Sequence, residues 1–194
     1  MPDDVNQTKS GAARFEAAIR RFDRENSRDP NLEIVEGIAR PRELIYAERL
    51  TDWVLILCPD ASEDLRLSAR CQHLCWCMIP RGDLKKFHAD KAGEILRELG
   101  YPEETVARVQ ALNLKKDFPQ HPDSRVLEDG LCLVFLEFQF AELAARTAGD
   151  KIVNALQKSW KKMTPAAREQ AMKLNYGSRE QALIERALEQ TGQR

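Results

Sequence analysis

Hydrophobic side chains recur at intervals of three and four residues along most of the chain, which is the period of an amphipathic α-helix. The first such run covers residues 12–26. Residues that begin and end helices flank the later runs, such as Pro41 at a first helical position and Gly100 and Gly149 after a last turn. The pattern predicts an all-α protein, a single-domain bundle of about seven to nine helices.

Two segments depart from a simple helical pattern. Residues 31–40 lack the helical period and are predicted to form a loop. Further on, a capping box at Asp60 and Glu63 predicts the start of a helix that runs through His73 to Ile79.

The most apolar segment, residues 126–146, could be read in two ways. Between Leu133 and Phe140 polar and apolar side chains partly alternate, as they do in a strand. The segment then continues without a break into AELAARTAG, which favours a helix. We therefore predict one buried central helix over 126–146.

The length of 194 residues suits one domain with a hydrophobic core large enough to fold without disulfides. Residues 1–11 are polar and are predicted to be disordered. A helical core domain is predicted over 12–163. Residues 164–194 are predicted to form C-terminal helices that pack on this core.

Charge and cysteine usage restrict the class of protein. The 30 basic and 31 acidic residues nearly cancel, which disfavours nucleic acid as the main partner because phosphate binding usually needs a basic excess. No signal-peptide pattern is present, and the longest apolar stretch, 131–136, is too short to cross a bilayer. We therefore expect a cytoplasmic protein that does not bind membranes; its oligomeric state is left open.

Five cysteines form an odd set, and in a cytoplasmic protein they are expected to be reduced. Three of them lie close together at Cys71, Cys75 and Cys77. The spacing of Cys71 and Cys75 on a helix indicates core positions, as does the apolar setting of Cys132. We predict that Cys71, Cys75 and Cys132 are buried and react slowly.

Histidine and carboxylate residues are the main candidates for chemistry. No glycine-rich phosphate loop is present, so no nucleotide cofactor is expected. His73, His88 and the Glu128-Asp129 pair provide imidazole and carboxylate groups, the mixture that binds divalent transition metals. The alternative is that the two histidines are buried structural residues with ordinary hydrogen bonds.

Several blocks of the chain are distinctive, namely FEAAIRRFDREN, RPRELIYAERLTDWV, QH followed by IPR, LKKFHADKAGEILRELGY and LEDGLCLVFLEFQF. With these blocks the chain resembles, over roughly residues 12–165, a family known as domain of unknown function 4202. That family is distantly similar to the HD-domain metal phosphohydrolases, which are all-helical. Those enzymes bind metal through a His, a His-Asp pair, often further His residues, and a distant Asp. The resemblance thus implies an HD-like fold.

The resemblance also implies a ligand set. His73 matches the His of the His-Asp pair, His88 the later His, and Asp129 the distant Asp, with Glu128 beside it. This chain departs from the pattern at Leu74, which stands where the paired Asp is expected.

A second departure is that the first His of the pattern is missing, since the corresponding segment offers only Tyr46 or Glu48. The same resemblance makes the cations Arg81 and Lys85 candidates for binding a substrate phosphate.

Two functions remain open from the sequence. The first is a metal-dependent hydrolase that uses Mn, Fe, Zn or Mg and acts on a small phosphorylated or nucleotide-like metabolite. The second is a non-catalytic helical binding module with a degenerate HD-like site. The surviving histidines and acidic pair favour the first, and the lost His-Asp pair favours the second.

Overall fold

Helices make up most of the chain, as the sequence predicts. The computed structural model describes residues 3–74 and 84–189, with side chains from residue 11 onwards. The helices are α1 (Asp3–Asn26), α2 (Arg42–Leu57), α3 (Glu63–Arg70), α4 (Leu84–Glu98), α5 (Glu103–Leu114), α6 (Pro122–Val134), α7 (Phe140–Arg146), α8 (Gly149–Lys162), α9 (Pro165–Ala171) and α10 (Ser178–Glu189). The all-α class is therefore confirmed.

Helix α1 begins earlier than the pattern of buried side chains indicates. Residues 3–11, predicted to be disordered, belong to this helix. The helix therefore extends beyond the stripe of apolar side chains from which its start was predicted.

The prediction of a loop over 31–40 is wrong, because a small β-hairpin occupies this segment. Strand β1 (Leu32–Val35) pairs antiparallel with β2 (Ile38–Pro41). Between them Glu36 and Gly37 have φ values of 52° and 80°. Two successive positive φ values are typical of the tight turn whose twist matches that of a two-stranded ribbon.

Helix α3 is shorter than predicted. It is capped by Ser62, whose Oγ accepts a hydrogen bond from the Leu65 N–H at 3.2 Å, rather than by Asp60. It ends at Arg70 instead of continuing to Ile79, and the Arg70 carbonyl accepts a hydrogen bond from the Asn26 side chain at 3.4 Å. A side chain from another helix thus donates to one of the last carbonyl groups of α3, which have no partner within the helix. Residues 75–83 lie outside the described chain, and so do the predicted thiols Cys75 and Cys77.

The interpretation of 126–146 as helix is confirmed, with one irregularity. Between α6 and α7 the residues Phe135–Gln139 form a π-helical turn. Leu133 and Phe140, on either side of this turn, are both fully buried. The strand-like alternation near Phe140 therefore reflects a local change of helical period.

The chain forms two compact units, Met1–Leu127 and Glu128–Arg194. In the first unit α4 packs against α5, and α3 against both α2 and α5. The core of this unit contains, among others, Phe22, Leu67 and Ile95, none of which has measurable solvent exposure. The boundary predicted from the sequence, at 163/164, stays a prediction.

In the second unit α8 packs against α10 and α7. Thr164 caps α9, with its Oγ1 accepting a hydrogen bond from the Ala167 N–H at 3.3 Å, and Pro165 follows as the first helical residue. A Thr at the cap followed by Pro at the first helical position is a common helix start. Across 3–74 and 84–189, no helix combines the length and the apolar character that crossing a bilayer requires.

Three described cysteines, Cys58, Cys71 and Cys132, carry free thiols. Cys71 and Cys132 are buried, as predicted, and Cys58 is half-buried. Burial raises the pKa of the Cys71 thiol to about 12. At neutral pH this side chain is therefore a protonated, weakly nucleophilic core residue.

Candidate metal centre

His73 lies in the turn that follows α3, and the residues before it fix the position of that turn. The Arg70 guanidinium makes two hydrogen bonds to the Asp23 carboxylate on α1, at 2.6 and 2.9 Å. Cys71 is fully buried, and its Sγ accepts a hydrogen bond from the Asn113 side chain at 3.2 Å. Contacts to α1 and α5 thus hold the backbone that carries His73.

Two residues of α2 contact the His73 ring. Nδ1 of His73 lies 3.2 Å from the Glu43 carboxylate, and the ring stacks on Tyr46 with 4.1 Å between the centroids. Glu43 and Tyr46 are three residues apart, so both lie on the same side of α2. Sequence reasoning missed Glu43; its place in the first turn of α2, one turn before Tyr46, is the only local signal for it.

His88 lies on α4 and is almost completely buried, with 2% of its surface exposed. Its Nδ1 is 2.5 Å from the Leu74 carbonyl oxygen. Burial lowers the pKa of His88 to about 4, against the raising effect of the Leu74 hydrogen bond, and nearby His73 lowers it further. The ring is therefore neutral at physiological pH, which is the form that binds a metal ion.

The hydrogen bonds determine which nitrogen of each ring carries the proton. A carbonyl oxygen and a carboxylate are acceptors, so Nδ1 of both His88 and His73 is the donor. In a neutral imidazole that donates from Nδ1, the lone pair lies on Nε2. A histidine that donates from one nitrogen to a carboxylate or carbonyl and binds a metal through the other is a common arrangement in metal sites.

The two rings are close enough to share one ion. Their centroids are 5.9 Å apart and their planes are tilted by 36°. Since a metal–nitrogen bond is about 2.0–2.1 Å, two imidazoles on one tetrahedral ion have centroids roughly 5–6 Å apart. The donor chemistry and spacing of this pair therefore fit a divalent metal. Within the described ranges, however, no group of three or more His, Cys, Asp or Glu residues has a metal-binding arrangement.

The acidic pair predicted to complete the ligand set belongs to the second unit. Both oxygens of Asp129 accept hydrogen bonds from Thr164, at 2.9 Å from its backbone N–H and at 2.5 Å from its hydroxyl. Glu128 forms an ion pair with Lys162 at 2.8 Å, which raises the pKa of that lysine. These contacts give both carboxylates a structural role in their own unit, and their metal-binding role stays a prediction.

Of the two predicted phosphate-binding cations, Lys85 is exposed in the first turn of α4. It precedes His88 by three residues, so it lies on the same side of that helix. Arg81 lies outside the described residues.

Comparison with known proteins gives one match. The model of a family described as "Domain of unknown function (DUF4202)" matches residues 16–184. No curated protein and no solved structure matches the chain.

Proposed function

The chain belongs to the domain of unknown function family DUF4202, and we propose that it is a metal-dependent, HD-like phosphohydrolase in which His73 and His88 bind a divalent cation. The observation that supports this proposal most directly is the pair of rings 5.9 Å apart, each with Nδ1 hydrogen-bonded to an acceptor.

The chain's own residues would hold the ligands in place. Glu43 would orient the His73 ring through Nδ1, and the Leu74 carbonyl would do the same for His88. Asp129 is the further ligand that the family resemblance implies. When bound, a divalent cation such as Mn²⁺, Fe²⁺, Zn²⁺ or Mg²⁺ would supply an activated water for hydrolysis.

A small phosphorylated or nucleotide-like metabolite is the proposed substrate class. Lys85, on the same side of α4 as His88, is proposed to neutralise a phosphate charge near the histidine pair. Arg81 is the second cation proposed for this role.

Metal content of protein purified without a His tag tests the proposal. Wild-type protein incubated with Mn²⁺, Fe²⁺ or Zn²⁺ and then desalted should retain about one ion per chain. His73→Ala and His88→Ala should each lose it. His121→Ala is the matched control, because His121 is exposed and its Nδ1 accepts a hydrogen bond from the Asp123 N–H. Wild-type protein that stays metal-free under all three conditions would end the proposal.

Glu43→Gln separates an orienting carboxylate from a merely adjacent one. If Glu43 acts through His73, this variant should bind metal about 10–100-fold more weakly while remaining folded. Hydrolysis of p-nitrophenyl phosphate and of nucleoside monophosphates by the metal-loaded wild type should fall in parallel.

A non-catalytic binding module is the second candidate function. It is favoured by Leu74, which replaces the paired Asp, and by the engagement of both Asp129 oxygens with Thr164. Stoichiometric metal binding without turnover of any phosphorylated substrate would support this alternative.

A further inference from the structure

Two buried polar residues lie where α1 ends, and their side chains contact other elements of the same unit. Asn26 and Asp29 have only 1% and 6% of their surface exposed. The Asp29 N–H donates a hydrogen bond to the Asn26 carbonyl at 3.1 Å, so the chain turns tightly between them. Polar side chains buried to this extent are normally hydrogen-bonded, and the partners of these two lie outside α1.

Asp29 caps α2 from outside that helix. Pro41, the residue before α2, has no side-chain acceptor, although the first N–H groups of a helix have no partner within it. Asp29 Oδ2 accepts a hydrogen bond from the Glu43 N–H at 3.1 Å. The Asn31 carbonyl accepts one from the Arg42 N–H at 2.9 Å. The segment before the hairpin thus satisfies the first two donors of α2.

The second carboxylate oxygen of Asp29 fixes the position of this segment. Oδ1 accepts hydrogen bonds from the Asn31 backbone N–H at 3.0 Å and from the Asn31 side-chain amide at 2.8 Å. Pro30 lies between the two residues, and its ring restricts the backbone further. The place of Oδ2 at the start of α2 is therefore well defined.

The same end of α1 contacts the turn that carries His73. The Asn26 side-chain amide donates to the Arg70 carbonyl at 3.4 Å, three residues before His73. Glu43, whose N–H binds Asp29, is also the residue whose carboxylate lies 3.2 Å from Nδ1 of His73. The segment that contains Asn26 and Asp29 therefore contacts both sides of the Glu43–His73 pair.

We propose that Asp29 is a positioning residue for the candidate metal centre, which holds the Glu43 carboxylate against Nδ1 of His73 by binding the Glu43 backbone. Glu43 stands in the first turn of α2, and a helix end frays when its N–H groups lose their acceptors. Tyr46 lies one turn further on, so its stacking on His73 should depend less on Asp29. The effect on metal binding rests on the proposed function, whereas the contact itself needs no metal.

Proton NMR of the metal-free full chain tests the contact. A hydrogen-bonded imidazole N–H exchanges slowly with water, so wild-type protein should show a resonance for Nδ1–H of His73, which its absence from His73→Ala assigns. Asp29→Ala should lose this resonance while its circular dichroism spectrum stays helical. Asp29→Asn keeps one acceptor oxygen, so it should fold and show the same resonance with faster exchange.

Ser62→Ala is the matched control, because it also removes a side-chain cap from a helix of the same unit. Ser62 accepts a hydrogen bond from the Leu65 N–H at the start of α3, 11 residues before His73. This variant should lower the urea midpoint of unfolding, as Asp29→Ala does, and should leave the His73 resonance unchanged. The resonance therefore separates positioning from a general loss of stability.

Metal affinity is the second readout, with Zn²⁺ as the probe. Asp29→Ala should bind Zn²⁺ about 10–100-fold more weakly than the wild type, as is expected for Glu43→Gln. The double variant should bind Zn²⁺ about as weakly as the weaker single variant, because both changes remove the same contact. Independent effects of the two changes would contradict a role of Asp29 through Glu43.

The positioning role and the proposed function can fail separately. Wild-type protein that binds no metal ends the proposed function, and NMR still decides whether Asp29 positions Glu43. The positioning role is overturned if wild-type protein shows no Nδ1–H resonance for His73, if folded Asp29→Ala keeps it, or if Ser62→Ala loses it as well. If Asp29→Ala does not fold, Asp29→Asn decides, and exchange as slow as in the wild type overturns the role.

Discussion

Replacing Asp129 with Ala should destabilise the second unit, because Asp129 binds both the backbone and the side chain of Thr164. The Asp129 carboxylate accepts one hydrogen bond from the Thr164 N–H and one from its hydroxyl. Because the hydroxyl proton points to Asp129, an Oγ1 lone pair is directed to the Ala167 N–H at the start of α9. Asp129 therefore stabilises the cap as well as the Thr164 backbone.

The expected cost follows from these bonds. Asp129 is 3% exposed, and each hydrogen bond to a charged group contributes about 1.5 kcal/mol, so Asp129→Ala should lower the free energy of unfolding by about 3 kcal/mol. Asp129→Asn keeps one acceptor oxygen and should cost about half as much. Thr164→Val removes the hydroxyl and its cap but leaves the backbone bond, for a loss of about 2 kcal/mol.

Urea denaturation followed by circular dichroism measures these losses, and amide hydrogen exchange locates them. The amides of α9 should exchange faster in Asp129→Ala and Thr164→Val. The Asp129→Ala/Thr164→Val double variant should lose less stability than the sum of the two single variants, by at least about 1 kcal/mol. The reason is that both changes disrupt the same contact. Asp150→Ala is the control, since Asp150 forms an exposed pair with Arg186 and should change stability by less than about 0.5 kcal/mol. An Asp129→Ala variant as stable as this control would refute the reasoning.

Three further predictions concern pH, thiol reactivity and the hairpin turn. The folded pKa of His88 is about 4, below the usual value near 6.5, so the unfolded chain takes up the proton first as the pH falls. The free energy of unfolding of metal-free protein should therefore fall by about 2–3 kcal/mol between about pH 6.5 and pH 4. Chemical denaturation should show a smaller fall for His88→Gln. At about pH 8 iodoacetamide should label the half-buried Cys58 well before Cys71, whose pKa is about 12, and mass spectrometry showing equal rates would contradict the buried position of Cys71. Gly37→Ala should lower the free energy of unfolding, measured in urea, by about 1 kcal/mol. The positive φ of Gly37 is the whole cause, because no atom lies within 4 Å of the added Cβ. Gly11→Ala has equal space but lies in a helix, so it should instead stabilise the protein by up to about 1 kcal/mol.

The helices could be predicted from the sequence because their stability depends on local pattern. The apolar stripe of α1, the Thr164 cap and Gly100, which has a φ of 73°, are each visible within a few neighbouring residues. The all-α class follows from such signals. The hairpin was missed because its strands lack the apolar-inward alternation by which strands are recognised. Glu33 and Arg40 form ion pairs with Arg49 and Glu48 of α2, whereas Leu32 and Ile34 are exposed.

The arrangement around the histidines could be predicted only in part. His73 and His88 were selected as a pair, and the structure brings their rings together. The end of α3 at Arg70 depends on Asn26, which is 44 residues away in the sequence, and the contact of Glu43 with His73 spans 30 residues. Tertiary packing determines contacts between residues this far apart in the sequence, and helical periodicity cannot predict them.

The π-helical turn over Phe135–Gln139 has a consequence for how this helix has evolved. Such a turn fits one additional residue into an α-helix without interrupting it, and each α-helical residue turns the chain by about 100°. Phe140 is thereby rotated away from the direction of Leu133 and packs against Tyr176, with ring centroids 6.2 Å apart. A relative that lacks one residue in this segment should have a straight α-helix in which the residue aligned with Phe140 still faces the position of Tyr176, so that the aromatic contact is kept.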